Sequence, residues 1–270
     1  MKNLVQQLKS LNPAPGELPF CHLGQHSFLF QFGRVTVGCD LFLSPLPDRL
    51  IPPQMKWEDL AEIDFLTGSH NHADHIDLPL WAKAAEHFPH LRFVLPRAVE
   101  VPVRQETRIP RERLIPLNDG ESLELSGVTL HAVAAAHEFL DRDPVSGCYP
   151  YLGYVMTGNG FTLYHAGDCC PYPGLTERLR RFRCDAAFLP INGRDAGRLK
   201  QNCIGNFTYW EAGDLASWIG AGTVIPAHYD MFAMNLGDPE AFRDYMNTKY
   251  PAVSVVIPRT GRVQILRKSS

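Results

Sequence analysis

The sequence predicts an α/β fold in which two sheets pack face to face with helices on the outside. Three observations point to it. Short strand-like runs recur through both halves of the chain, stretches of helical spacing lie between some of them, and the chemically capable residues fall where a strand gives way to a loop. Loop ends of this kind carry function because the sheet holds them rigidly while they stay accessible.

Residues 17–43 read as early strands. Phe28-Leu29-Phe30-Gln31-Phe32 and Val35-Thr36-Val37 are apolar runs joined by the turn residue Gly33, and Asp40 follows the second. Ile63 to Thr67 is a short buried strand ending at Gly68, and an Ala- and Leu-rich helix follows from Pro79 to Glu86. Arg92 to Pro96 is a further strand, and Arg111 to Leu114 belongs to a β/α connection. Leu123 to Leu125, Val128 to Val133, Gly153 to Met156 and Phe161 to His165 continue the β pattern, the last running into Gly167-Asp168. Ala186 to Pro190 and Thr223 to Pro226 are short apolar strands ahead of loops, and Tyr209 to Ile219 has helical spacing. One internal echo stands out: Gly33 to Asp40 and Gly160 to Asp168 each run from a glycine turn along a strand to an aspartate, as a two-fold repeated architecture would produce. No low-complexity stretch or charge run divides residues 1–270, so one domain is expected.

Composition narrows the function classes. Apolar residues make up 45% and charged residues 20%, ordinary for a globular protein. A net charge of -3 gives no electrostatic case for nucleic acid or an anionic membrane as partner. No apolar run approaches the roughly 20 residues of a membrane helix, and polar residues interrupt Met1 to Leu8, so no span and no export signal are expected. The 7 cysteines are odd in number and form no CxxC pair, which suits free thiols in the cytoplasm. Cys169 and Cys170 are too close for an ordinary disulfide; they read as buried thiols or as residues lining a site beside Asp168.

The chemistry concentrates in Ser69-His70-Asn71-His72-Ala73-Asp74-His75. In extended backbone His70 and His72 project to the same side and hand two imidazoles to one metal. Asp74 and His75 follow as the chain turns toward a helix and can face a second. Imidazole and carboxylate together suit zinc, manganese or iron, whereas the cysteine positions rule out all-thiolate ligation. Four such residues cannot complete two metal sites, so further ligands are required at strand ends downstream. His137, after Leu130 to Ala136, Asp168, after Tyr164 to Gly167, and His228, after Val224 to Ala227, meet that requirement. Each alone reads as readily as a structural residue; with the cluster, their order and setting are what the site needs.

The order His70-x-His72-x-Asp74-His75, then His137, Asp168 and His228, resembles the metallo-β-lactamase fold hydrolases, from Asp40 to His228. The resemblance implies a four-layer αββα sandwich. It further implies a first metal on His70, His72 and His137, a second on Asp74, His75 and His228, and Asp168 bridging them. Asp40 matches an aspartate that orients the site from behind the ligands. Leu23 to Phe28, Leu189 to Asp195 and Pro226 to Met231 resemble the L-ascorbate-6-phosphate lactonase branch.

The implied chemistry is hydrolysis by a metal-activated hydroxide, with Asp74 and Asp168 as the catalytic carboxylates and two divalent ions, Zn²⁺ by default or Mn²⁺, as cofactors. No Gly-x-Ser-x-Gly elbow is present, and His137-Glu138 does not extend to His-Glu-x-x-His. The expected substrate is a small ester, lactone or phosphate-bearing molecule, lactonase-like first. The alternatives are a phosphodiesterase or phospholipase of the same fold, and a non-catalytic metal-binding protein. Residues Asn192 to Trp210 read either as a solvated loop or as a loop over the metals that recognises an anion. Asn192, Arg194, Asp195, Asn206 and Tyr229 are the candidate substrate contacts. His22 and His26 flank Gly24 and either point into the cleft or serve structure. Oligomeric state is left open, a homo-oligomer included.

Overall fold

The computed structural model describes residues 2–268. Its first half holds α1 (Leu4–Lys9), β1 (Glu17–His22), β2 (Phe28–Phe32), β3 (Val35–Cys39), β4 (Phe65–Thr67), α2 (Leu78–His87), β5 (Arg92–Pro96), α3 (Glu100–Thr107) and β6 (Leu114–Leu117). The second half holds β7 (Ser122–Leu125), β8 (Val128–Ala134), β9 (Leu152–Gly158), β10 (Phe161–His165), α4 (Leu175–Arg180), β11 (Ala186–Pro190), α5 (Ala196–Lys200), α6 (Tyr209–Trp218), β12 (Thr223–Ala227), α7 (Pro239–Lys249), β13 (Ser254–Val255) and β14 (Val263–Arg267).

Among the described residues the strands form two seven-stranded mixed sheets, ordered β14-β1-β2-β3-β4-β5-β6 and β13-β12-β11-β10-β9-β8-β7. In each sheet antiparallel pairing gives way to parallel pairing at one strand. That strand is β3 in the first sheet and β10 in the second, and these are the two strands of the Gly-to-Asp echo in the sequence.

Burial explains why the strands read as nearly continuous apolar runs. Phe28, Phe30 and Phe32 of β2 point into a core between the sheets, where they meet Phe188 of β11 and Leu163 of β10. Leu29, on the opposite face, packs under α1 and α2 with Val5, Leu8 and Trp81. The second sheet repeats the arrangement: Tyr164, Ala187 and Leu189 face away from the inter-sheet core toward Leu179, Leu215 and Phe242 of α4, α6 and α7. Strands covered on both faces have no polar side to alternate with. Each fully buried Phe contributes about 1.5–3 kcal/mol. Helices outside, two sheets inside: this is the αββα order.

The strand directions gather the site. β1 and β3 are each antiparallel to β2, and β3 is parallel to β4, so the loops after β1, β3 and β4 leave the first sheet at one edge. β8 and β10 are each antiparallel to β9, and β10, β11 and β12 are parallel, so the loops after these four strands share one edge of the second sheet. Every candidate ligand lies on one of these loops. Leu152 N–H bonds Ser69 O at 2.9 Å and His228 N–H bonds Gln25 O at 2.7 Å, which ties the two edges together.

Several elements differ from the reading of the sequence. The Asn192-to-Trp210 segment is not one loop: Asp195 accepts from Gly197 and Arg198 N–H and starts α5, and Thr208 caps α6 through a capping box with Glu211. Residues 69–76 are bends and turns rather than extended chain. His75 and Ile76 N–H both return to His72 O, at 3.0 and 2.8 Å. The segment that led to β6 is a short 3₁₀ turn, Arg111–Arg113, entering a strand.

Candidate metal centre

The structure brings seven side chains together in two groups: His70, His72, His137 and Asp168 in one, and Asp74, His75 and His228 in the other. His70 Nε2 and His72 Nδ1 lie 2.9 Å apart, and the His137 ring is 5.4 and 5.1 Å from those of His70 and His72. In the second group His75 Nε2 and His228 Nε2 are each 3.6 Å from Asp74 Oδ2. Asp168 divides its carboxylate between them. Its Oδ1 is 3.2 Å from both His75 Nε2 and His228 Nε2, while Oδ2 faces His137 Nε2 at 3.9 Å.

A hub behind the loop aims these groups. Asp40 is fully buried and accepts from Ser69 N–H at 2.8 Å, from Ser69 Oγ at 2.6 Å and from His75 Nδ1 at 2.6 Å. A proton held on His75 Nδ1 by Asp40 leaves Nε2 free as a ligand atom. Ser69 Oγ also lies 3.0 Å from His70 Nδ1. Asp168 reaches its place because Gly167 has φ +61° and no side chain: a Cβ there would sit 2.5 Å from Ser69 Cβ. Asp77 caps α2 and also accepts from Leu43 and Ser44 N–H, which fixes the loop after Asp40 against the helix after the histidines.

The protonation states follow burial and the neighbouring carboxylates. Burial pushes His70 and His72 below their ordinary pKa and His137 down to about 4, so these imidazoles are neutral. Burial also acts on His75 and His228, but Asp168 and Asp74 outweigh it and hold both above their ordinary value. The same pairings outweigh burial at Asp74 and Asp168 and keep both carboxylates ionised. His75 Nε2 and Asp168 Oδ1 are buried, face each other at 3.2 Å and have no hydrogen-bond partner. Orphaned ligand atoms at this spacing fit a divalent cation, and imidazole with carboxylate is a donor set for zinc or manganese.

The candidate substrate residues are placed differently. Arg194 directs both guanidinium ends at Glu211, at 2.6 and 2.7 Å, and a further bond at Asn206 O. Asp195 is occupied by the start of α5 and by Arg198 at 2.6 Å. Both groups already have a charged partner. Buried Asn206 donates to buried Asn192, which donates to the partly exposed Asn235. Tyr229 stacks on His22, centroids 6.1 Å apart. His22 meets Thr260 at 3.0 Å and serves the β1 end. His26 is fully buried 6.0 Å behind His75 and 6.2 Å behind His228, edge-on to His165. Cys169 and Cys170 are buried thiols, and burial raises their pKa values, which disfavours the thiolate form.

Gln25 and Ser69 are the site neighbours that sequence reasoning missed. Gln25 Nε2 lies 2.9 Å from Asp74 Oδ2 and 3.1 Å from His228 Nε2. The signal was its place beside Gly24 and His26, where the histidines drew attention instead.

Comparison with known proteins follows the same outline. The family described as "Beta-lactamase superfamily domain" matches residues 36–229, a span that holds Asp40 and all seven side chains. A UPF0173 metal-dependent hydrolase of Methanoculleus marisnigri is 31% identical over 81% of this chain and 84% of its own length. The chain belongs to the metallo-β-lactamase superfamily, among the UPF0173 metal-dependent hydrolases. Another UPF0173 protein, from Exiguobacterium, is 27% identical over 84% of this chain and 93% of its own. The match to a Myxococcus xanthus relative spans 55% of that protein. Among solved structures, a metallo-hydrolase of Ignicoccus hospitalis aligns with a TM-score of 0.73 at 19% identity, over 93% of this chain and 99% of that one. At that identity the likeness is one of fold, and it is the superfamily sandwich.

Proposed function

We propose that this superfamily member hydrolyses a small, uncharged ester or lactone at a two-ion centre held by His70, His72, His137, Asp168, Asp74, His75 and His228. The observation that carries the reading is the split of Asp168 between the two groups, Oδ1 toward His75 and His228 and Oδ2 toward His137. Two divalent cations held by these residues would supply an activated water and polarise an electrophilic oxygen.

The residues of the chain supply the rest. His70, His72 and His137 are neutral and offer lone pairs. Asp168 stays ionised and offsets part of the charge of the pair. Asp74 is ionised and partly open to the rim, so it accepts a hydrogen bond from an incoming water and orients it. Asp40 keeps His75 in one tautomer throughout. Zn²⁺ and Mn²⁺ both fit this donor set.

The rim supports an uncharged substrate over a phosphate-bearing one. Phe139, two residues after His137, is 66% exposed and Leu199 of α5 is 57% exposed. Arg198 of α5 donates to Met234 O and Leu236 O, at 3.0 and 2.8 Å, which ties α5 to the loop after His228, where Met234 and Leu236 are also exposed. Glu138, Leu199, Cys203 and Ile204 border a cavity of about 190 Å³, room for a small acyl group. Arg194 and Asp195 also border it but are turned toward Glu211 and Arg198.

The test is a panel of lactones, carboxylic esters, phosphodiesters and phosphorylated sugars, assayed with Zn²⁺ or Mn²⁺. Turnover of the first two classes is expected. Preference for the phosphodiesters would move the activity to the phosphodiesterase class, and a protein carrying two ions with no turnover of any class would contradict catalysis.

A further inference from the structure

We infer that Gln25 is a ligand of the ion held by Asp74, His75 and His228, giving its side-chain oxygen as a further donor at that site. The inference rests on the two-ion reading above and adds a residue that lies outside the span matched to the family, 36–229.

The first ground is spacing. Metal–ligand bonds of about 2.0–2.2 Å set neighbouring donor atoms about 3 Å apart. Asp168 Oδ1 stands 3.2 Å from His75 Nε2 and His228 Nε2, and Asp74 Oδ2 stands 3.6 Å from the same two atoms. The end of the Gln25 side chain falls on the same pattern, 2.9 Å from Asp74 Oδ2 and 3.1 Å from His228 Nε2. It stands at ligand-to-ligand spacing from two of the group's donor atoms.

The second ground is an unsatisfied atom. Gln25 is fully buried and its Oε1 has no hydrogen-bond partner. Facing a bare carboxylate, an amide turns its N–H₂ inward, as Nε2 does toward Asp74. A half-turn about the last side-chain bond exchanges the two ends. With a cation in the group the oxygen is the favoured end: the orphaned acceptor would gain a partner as Nε2 gives up Asp74.

The third ground is the backbone. Gln25 and His228 both hold left-handed backbone, at φ +57° and +55°, a conformation that side-chain-bearing residues seldom adopt. The two are locked to each other, His228 N–H bonding Gln25 O at 2.7 Å, and Gln25 N–H is held by Asp230 Oδ1 at 2.8 Å. Strain kept at a site by surrounding bonds points to function. Here it directs both side chains to one spot.

The consequence is an asymmetric pair. The first ion would be held by three imidazoles and Asp168, the second by two imidazoles with oxygens from Asp74, Asp168 and Gln25. An oxygen-rich site suits a harder ion than zinc, Mn²⁺ or Fe²⁺.

The experiment isolates the second site in a His72→Ala background, strips the full chain of metal and titrates it with Mn²⁺, reading free ion by its paramagnetic resonance signal. Gln25→Met keeps the side-chain length without an oxygen and is expected to weaken Mn²⁺ at least tenfold, the scale of support residues and more. Gln25→Glu keeps an oxygen donor and is expected to bind within threefold of Gln or tighter. Met and Gln binding alike would overturn the proposal. So would a Glu variant as weak as Met, since a role as mere donor to Asp74 is lost equally in both. A Mn²⁺ site absent even with Gln25 in place would sink the second site and this ligand with it, whereas intact binding with no turnover would touch only the activity. Circular dichroism checks that each variant is folded, and the Glu variant alone decides should Met fail to fold.

Discussion

The two groups of candidate ligands are built in different ways. In the first, His70 and His72 come from one turn, His72 is exposed, and Asp168 is the carboxylate that acts most strongly on the imidazoles. In the second, His75 is wedged between Asp40, Asp74 and Asp168, His228 is clamped to Gln25, and the fully buried His26 fills the space behind both rings. The difference teaches that the ligands of a site do not define it alone. What stands behind each imidazole sets its protonation, its freedom and the kind of ion it prefers.

The largest effect should come from removing what the groups share. Asp168→Ala takes a donor from each, and turnover should fall by about a thousandfold or more, since metal activation supplies several kcal/mol of transition-state stabilisation. Metal content should fall below one ion per chain.

Next comes His72→Ala, which breaks the symmetry of the comparison. It should abolish turnover and cost one ion while leaving the second. Circular dichroism and melting temperature should stay close to those of the wild type, because His72 is exposed on a turn. Unaltered activity would end its assignment as a ligand.

Asp40→Ala probes the support of the second group. It leaves Ser69 N–H, Ser69 Oγ and His75 Nδ1 without their buried acceptor. Chemical denaturation should show a loss of about 1–3 kcal/mol or more. Affinity for the second ion should drop 10–100-fold, on the order seen for such supports. An undiminished affinity would mean that the hub serves folding only.

The smallest effect is expected at Arg194→Ala. Its pair with Glu211 lies at the surface and is worth about 1 kcal/mol or less, and KM for an uncharged ester should change no more than about threefold. A thirtyfold rise would show that Arg194 reads substrate after all.

Much of this was legible in the sequence for physical reasons. Strands such as Phe28–Phe32 and Ala186–Pro190 are covered on both faces and stand out as apolar runs. His70 to His75 was legible because four metal-competent side chains share one turn. Other elements were not. α3 buries only Val103 and Thr107 of its eight residues and carries Pro102, so it leaves no clear apolar stripe. β14 exists because Glu17–Cys21 pairs with it from the far end of the chain, a contact no local pattern reveals. The anion-reading role expected for Arg194 rested on residue type. Type cannot show that Glu211, 17 positions on, already holds the guanidinium. Gln25 escaped notice because its importance lies in a left-handed backbone and an orphaned oxygen, neither of which composition records.

The most direct test of the paired centre is metal content by mass spectrometry on four proteins purified without added metal: wild type, His72→Ala, His228→Ala and Asp168→Ala. The account predicts close to two ions, one, one and fewer than one. A wild type with no bound transition metal, or single-histidine variants that keep both ions, would contradict it.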